Sequence, residues 1–148
     1  MKILDKELNI FVINQDGKKQ YVPNFGYVNA GFPSPAEDFV NDNISLDERY
    51  LTHSESTFII VVGGDSMYPT YQKNDVLIIR TDLIPLHNDD IIVSINKADY
   101  TLKRFDKINN KLIALNPKYK DCVQMNEGDE VVVLGVVAVL VREKSNRI

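Results

Sequence analysis

Ser66 and Lys103 are the two residues whose types and spacing fit hydrolytic chemistry. Ser66 follows a glycine pair at the end of an apolar segment, and Lys103 lies 37 residues further along, within the stretch Thr101–Phe105. A neutral amine can take the proton of a serine hydroxyl, but only if burial in apolar surroundings destabilises its charged form. The pair therefore predicts a hydrolase in which Ser66 is the nucleophile and Lys103 is the general base.

The residues beside Ser66 are predicted to support catalysis rather than to carry it. Gly64 allows the chain to turn sharply, which brings backbone N–H groups near the serine oxygen as an oxyanion hole. Asp65 and Met67 belong to the same motif. A carboxylate is not needed as a third member, because a Ser-Lys pair has no imidazole tautomer to fix. Without the lysine, a serine in such a turn is more often a helix cap.

Lys103 has an alternative interpretation, in which it is an exposed strand residue without a catalytic role. If residues 100–106 form a strand, Lys103 shares one face with Thr101 and Phe105, so its surroundings are not obviously charged. Lys97 and Lys107 lie at predicted strand ends beside turn residues, where water keeps an ammonium group charged. Lys103 is therefore the best candidate base of the three.

Short runs rich in β-branched residues, separated by Gly, Asn, Asp and Pro, must position this pair. We predict strands at Thr57–Val62, Asp75–Arg80, Asp90–Asn96, Tyr100–Asp106, Lys111–Asn116 and Val131–Val141. The last of these is expected to be interrupted or bent near Gly135, where a strand has no side chain to pack. Many short strands and few helices predict a mainly β fold, with a compact antiparallel body.

The residues before this body read as an arm followed by short helices. Asn9–Asn14 and Lys18–Val22 flank an Asp-Gly turn signal, which predicts a hairpin that docks on the body or stays mobile. Capping-box patterns at Ser34 and Ser45 predict two brief helices, one over Pro35–Asn41 and one that ends near residue 51. The arm is too short to hold a helix-turn-helix domain.

Composition argues against several classes of function. The chain has 148 residues, a formal net charge of −4 and a single cysteine, Cys122, which favours a reducing cytoplasm. It has no cluster of Lys and Arg to neutralise phosphates, so we expect no direct sequence-specific DNA binding. Metal-ligand spacing is also missing, and we expect neither a metal nor a cofactor. The longest apolar run, Val131–Val141, has 11 residues against about 20 in a membrane helix, so no membrane anchor is expected.

Three elements together resemble the LexA/UmuD family of self-cleaving Ser-Lys peptidases. They are the Gly64–Pro69 motif, the interval from it to Lys103, and the upstream segment Asn29–Pro35. The resemblance runs over about Tyr27–Val141, and the upstream sequence Gly-Phe-Pro-Ser-Pro-Ala is most similar to the UmuD branch. It implies the fold of a LexA-like carboxy-terminal domain.

By the same resemblance, Ala30-Gly31 is the bond that the protein cuts in itself. Small side chains on both sides let the backbone approach Ser66, and Val28 offers an apolar anchor. Without the resemblance, this dipeptide is equally well an ordinary linker between arm and body. Many members of the UmuD branch have Cys at the position of Ala30, and the departure is chemically mild because both side chains are small.

The UmuD-branch resemblance implies a role in the SOS response to DNA damage. Cleavage would remove residues 1–30 as an arm and leave residues 31–148 as a peptidase and dimerisation domain. The implied partners are a RecA filament on single-stranded DNA, a second copy in a homodimer, and the catalytic subunit of a Y-family translesion polymerase. Two alternatives stay open: a non-catalytic adaptor that regulates the polymerase, and a LexA-like repressor fragment, which the acidic charge and the missing helix-turn-helix disfavour.

Overall fold

The computed structural model describes residues 8–12, 17, 19, 22–23, 43–119, 122–145 and 147. The chain divides into two compact units, a larger one formed by Met1–Ile13 with Glu55–Ile148 and a smaller one formed by Asn14–Ser54. The bond Ala30-Gly31 and the predicted helix Pro35–Asn41 lie outside the described residues. The proposed arm boundary therefore stays a prediction.

Strands dominate the part of the chain that the structure describes. In chain order its elements are β1 (Leu8–Val12), β2 (Val22–Pro23), β3 (Asn43–Ile44), α1 (Leu46–Tyr50), a 3-10 helix (Ser54–Ser56), β4 (Thr57–Val62), β5 (Val76–Arg80), β6 (Asp90–Ile95), β7 (Thr101–Asp106), β8 (Lys111–Ile113), β9 (Val123–Gln124) and β10 (Val131–Val141). None of the described helices has the length and apolar character that a membrane crossing requires.

The larger unit is built on one antiparallel sheet of eight strands, in the order β1-β4-β5-β10-β6-β7-β8-β9. This confirms the predicted mainly β, antiparallel fold. The long strand β10 lies in the middle and pairs with both β5 and β6. Its register against β6 shifts between Val133 and Gly135, which is an irregularity at the glycine where an interruption or a bend was predicted. The strand itself is continuous from Val131 to Val141. The smaller unit pairs β2 with β3.

The core covers both faces of the sheet at its centre. Successive side chains of a strand point to opposite faces, so Ile92 of β6 packs in one apolar cluster while its neighbours Ile91 and Val93 pack in another. All three are at most 1% exposed. Burial on both faces explains why β6 is an almost continuous apolar run instead of an alternating one. The neighbouring strand β7 pairs with this buried strand.

The first strand of the predicted amino-terminal hairpin docks on the main sheet. β1 pairs antiparallel with β4 of the main sheet, with Leu8 opposite Val62. Most of the Lys18–Val22 segment lies outside the described residues, so the second strand of the hairpin stays a prediction. A two-stranded ribbon alone is marginally stable in water, whereas an added edge strand gains the apolar face of an existing sheet. Leu8 is accordingly 2% exposed and belongs to the first core cluster.

Two further predictions need local correction. The helix that follows Ser45 is present, but Ser45 makes no side-chain capping bond, and within the described residues its buried hydroxyl has no hydrogen-bond partner. The strand predicted at Lys111–Asn116 ends at Ile113, because Asn116 leaves the sheet and hydrogen bonds to the turn that contains Ser66. The two-residue strand β9 was not predicted at all.

Gly135 is expected to tolerate no side chain. A Cβ atom there would lie 2.6 Å from Ile79 Cγ2 and 2.7 Å from the Arg80 carbonyl oxygen, and both belong to the paired strand β5. Since backbone cannot move aside without breaking the sheet, Gly135→Ala should lower the free energy of unfolding by about 3 kcal/mol. Urea unfolding measures this loss.

Gly128 is the control for that substitution. Its φ of 91° is positive, but a Cβ atom there would meet nothing within 4 Å. Gly128→Ala should therefore lose about 1 kcal/mol, from backbone strain alone. Equal losses for the two variants would show that the close approach at Gly135 is not the reason for its glycine.

Candidate active site

Ser66 lies on a loop that leaves the sheet after β4 and returns to the same strand end. Val62, the last residue of β4, donates its N–H to the Asp75 carbonyl at 2.9 Å and accepts from the N–H of Asn74 at 2.7 Å. The loop is therefore closed at its base. Ser66 is 6% exposed, so its side chain is held within the structure and not displayed on the surface.

Lys103 of β7 meets Ser66 directly. Its Nζ lies 3.3 Å from Ser66 Oγ, and it also donates to Thr101 Oγ1 at 2.9 Å and to the Leu102 carbonyl at 3.2 Å. The structure thus brings together the two residues that the sequence singled out. A distance of this size between nucleophile and base is suitable for proton transfer.

The surroundings of the lysine are more polar than predicted. Thr101 shares its face of β7, as strand alternation requires, but Thr101 contributes a hydroxyl oxygen to the amine. Lys103 is half-buried, not fully enclosed. Oxygen acceptors suit the charged amine, so a general-base role requires that the proton be lost first.

Asp65 hydrogen bonds to a second loop, and its described hydrogen bonds do not include Lys103. Its carboxylate accepts a hydrogen bond from the hydroxyl of Tyr119, and its backbone carbonyl accepts from Tyr68 N–H at 3.0 Å and from Asn116 Nδ2 at 2.7 Å. These contacts hold the shape of the turn. The role of Asp65 in catalysis stays a prediction.

Met67 ties the turn to the apolar core. It is 2% exposed and belongs to the first core cluster, and its sulfur accepts the N–H of Leu115 at 3.4 Å. Its carbonyl accepts from Tyr71 N–H at 2.9 Å. Gly64 precedes the turn with a φ that is not positive. The roles of Gly64 and Met67 in catalysis stay predictions.

A buried polar network lies under the same loop and was not predicted. The Tyr71 hydroxyl donates to Asp90, and Arg104 donates to both oxygens of that carboxylate at 2.8 and 3.0 Å. Burial raises the pKa of Tyr71 well above its usual range, and the hydrogen bond to Asp90 and its charge raise it further. The phenol therefore stays neutral and joins the loop to strands β6 and β7.

A groove opens beside the nucleophile turn. Its volume is about 550 Å³, and its walls are Asp65, Tyr68, Pro69, Asn116, Pro117 and Lys118. The two walls come from segments about 50 residues apart, so no local sequence pattern could have indicated the groove. Its position beside Asp65 is suitable for a peptide segment that approaches Ser66.

The two histidines are exposed, as predicted, and hydrogen bond outside this site. His53 Nδ1 lies 2.9 Å from the Thr52 hydroxyl, and His87 Nδ1 accepts the N–H of Lys107 at 3.2 Å. Among the described contacts, the partner of the Ser66 hydroxyl is thus an amine and not an imidazole.

Known proteins are similar to this chain over most of its length. A family model described as Peptidase S24-like matches residues 23–138. A LexA repressor of Staphylococcus aureus (strain Newman) is 36% identical over 126 residues, which are 83% of this chain and 59% of that protein. A LexA repressor of Clostridium perfringens (strain SM101 / Type A) is 33% identical over 109 residues, 73% of this chain and 53% of that protein. A LexA repressor of Desulfatibacillum aliphaticivorans is 31% identical over 126 residues, 82% of this chain and 61% of that protein. The chain spans little more than half the length of these relatives.

Proposed function

The chain belongs to the Peptidase S24-like family, and from this we propose that it is a serine endopeptidase that cuts its own Ala30-Gly31 bond. The observation that carries the proposal is the 3.3 Å distance between Lys103 Nζ and Ser66 Oγ. A serine and an amine at this distance, on a closed loop and a central strand, form the minimum arrangement for acyl transfer. The assignment of the scissile bond comes from the resemblance of its segment to the family's cleavage site.

In the proposed reaction Lys103 accepts and returns a proton twice, once in acylation and once in deacylation. Lys103, once uncharged, takes the proton of Ser66 Oγ, which attacks the carbonyl carbon of Ala30. The oxyanion of the tetrahedral intermediate is stabilised by backbone N–H groups of the turn. The intermediate expels the amino group of Gly31, which takes the proton from the Lys103 ammonium. Water then loses a proton to Lys103 and attacks the ester carbonyl carbon. As the bond to Ser66 Oγ breaks, the Lys103 ammonium returns that proton to Ser66 Oγ, and residues 1–30 leave with a new carboxylate at Ala30.

Self-cleavage is expected to accelerate as the pH rises. Free lysine titrates near pH 10.4, so the uncharged fraction of the base, and with it the cleavage rate, should rise up to about tenfold per pH unit below the titration midpoint. Intact-mass spectrometry of the purified chain from about pH 7 to about pH 10 should show fragments 1–30 and 31–148 appearing progressively faster.

The same measurement separates the peptidase from a non-catalytic adaptor. An adaptor would give no fragment at any pH, and a rate that is independent of pH would argue against a lysine base. Circular dichroism at each pH provides the control, because alkaline unfolding would expose the chain without specific cutting.

We further propose that the cleaved protein acts in the UmuD-type branch of SOS responses in the cytoplasm. The support is the segment Gly-Phe-Pro-Ser-Pro-Ala after the proposed bond, together with the net charge of −4. In this proposal a RecA filament on single-stranded DNA stimulates cleavage, and the processed homodimer joins a Y-family translesion polymerase. Copurification of the cleaved form, but not of the Ser66→Ala form, with such a polymerase tests the role.

A repressor is the second candidate, because the relatives compared above are named LexA repressors. The acidic charge of this chain disfavours it, since binding to DNA needs several cations against the phosphates. A gel-shift assay at low salt decides between them. Sequence-specific binding would favour the repressor, and its absence at low salt would favour the polymerase role.

A further inference from the structure

Asn116 directs all its described hydrogen bonds at the turn around Ser66 or at its own loop. Its backbone N–H donates to the Ser66 carbonyl at 2.9 Å, and its side-chain Nδ2 donates to the Asp65 carbonyl at 2.7 Å. Its Oδ1 accepts the N–H of Lys118 at 3.0 Å. These partners also set the orientation of the amide. If the amide were flipped, its NH2 group would face the N–H of Lys118 and its oxygen would face the Asp65 carbonyl, so both hydrogen bonds would be lost. The residue is 5% exposed, so the three bonds are shielded from water.

The two carbonyls that Asn116 holds belong to the two peptide units on either side of Ser66. A peptide unit is planar and trans, so its N–H points opposite to its carbonyl. With the carbonyls of Asp65 and Ser66 both directed at one residue, the N–H groups of Ser66 and Met67 must both point away from it. Neither N–H donates to any residue that the structure describes. Successive N–H groups that point to one side form a concave site for an anion.

We propose that Asn116 is a positioning residue that builds the oxyanion hole from the Ser66 and Met67 N–H groups. The inference rests on the proposed self-cleavage and adds to it a residue that acts through the backbone of the Ser66 turn. Asn116 fixes the two donors before reaction, so they need no reorganisation when the negative charge develops. The contact of Tyr68 N–H with the Asp65 carbonyl at 3.0 Å closes the turn from the other end.

The test is the pH profile of self-cleavage in Asn116→Ala. Loss of the Nδ2 donor lets the Asp65 peptide rotate, so the alkaline plateau rate should fall about tenfold or more, toward the loss seen when an oxyanion donor itself is removed. The pH midpoint should stay where it is in the wild type, since the lysine contacts are unchanged. Thermal unfolding is measured in parallel, and rates are compared at a temperature at which each variant is folded.

Two companion variants complete the design. Asn116→Asp keeps the size of the side chain and the oxygen that accepts from Lys118, but it replaces the donor to the Asp65 carbonyl with an acceptor. Its plateau rate should therefore also fall. This variant is used if Asn116→Ala does not fold. Asn110→Ala is the control: it loses an equally short side-chain bond, 2.8 Å to the Met125 carbonyl, at a residue with a φ of 55°. It should lose stability and keep the wild-type rate.

Three outcomes would overturn the inference: an unchanged plateau rate in both Asn116 variants, a shifted pH midpoint in Asn116→Ala, or a rate that recovers fully on cooling. A shifted pH midpoint would mean that Asn116 acts on the titration of Lys103. A rate that recovers on cooling would mean that Asn116 only stabilises the fold. These outcomes are distinct from failure of the proposed function itself, which would appear as a wild-type chain that does not cleave or a Ser66→Ala chain that does.

Discussion

Ser66→Ala should leave the chain uncleaved, with a rate at least about 10³-fold below that of the wild type. The substitution removes one oxygen atom from a residue that is 6% exposed and adds no bulk, so it should hardly change the fold. Lys103→Met should have an effect of similar size, because it keeps the apolar stem and removes the amine that lies 3.3 Å from the serine. Intact-mass spectrometry at alkaline pH measures both.

The double variant adds a test of whether the two residues act as one unit. When two residues act in the same chemical step, removing either one already abolishes that step. The double variant Ser66→Ala with Lys103→Met should therefore cleave no more slowly than either single variant. Lys107→Met is the matched control, because Lys107 is exposed and lies just after the end of β7, and it should cleave at the wild-type rate. Cleavage that persists in Ser66→Ala or in Lys103→Met would remove that residue from its assigned role.

Arg142→Met should be the surface substitution with the largest loss of stability. Arg142 donates to both oxygens of Asp75 at 2.7 and 2.6 Å and to the Thr70 carbonyl at 3.1 Å, and so joins the end of β10 to the Ser66 loop. The Asp75 side chain is 1% exposed, and without the arginine its charge would be buried with only a backbone N–H from Gln72. The free energy of unfolding should fall by about 3 kcal/mol.

The loss in Arg142→Met should depend on pH with a defined sign. Burial raises the pKa of Asp75, but the hydrogen bonds from Arg142 and Gln72 and the arginine charge outweigh it, so the pKa is lowered overall. A lowered folded-state pKa contributes stability above the unfolded value of about 3.9 and loses it as the pH falls through the folded value. The difference between wild type and variant should therefore narrow below about pH 4.

Arg80→Met is the matched control for this prediction. Arg80 makes the same two-pronged contact with Asp82, at 2.7 and 2.5 Å, but the Asp82 side chain is 38% exposed and can be solvated without its partner. The expected loss is under about 1 kcal/mol. Equal losses in urea unfolding of the two variants would show that burial of the carboxylate does not decide the effect.

The sequence alone came close to the sheet and to the reactive pair. Five of the six predicted strands have both ends within one residue of the observed ends, and two of the five, Thr57–Val62 and Val131–Val141, match completely. Such runs are predictable because β-branched residues and turn residues are local signals. The strand at Lys111–Asn116 was too long because a hydrogen bond to a distant turn, not a local breaker, removes Asn116 from the sheet.

The sequence by itself determined the strands and the identity of the candidate nucleophile and base, because both depend on residue types and on spacing along the chain. The tertiary structure alone decided that β1 joins β4, that Asn116 meets Asp65 from 51 residues away, and that Arg142 meets Asp75 from 67 residues away. No local pattern specifies such partners. They follow from how the strands are ordered in the sheet, and they set the shape of the turn that carries Ser66.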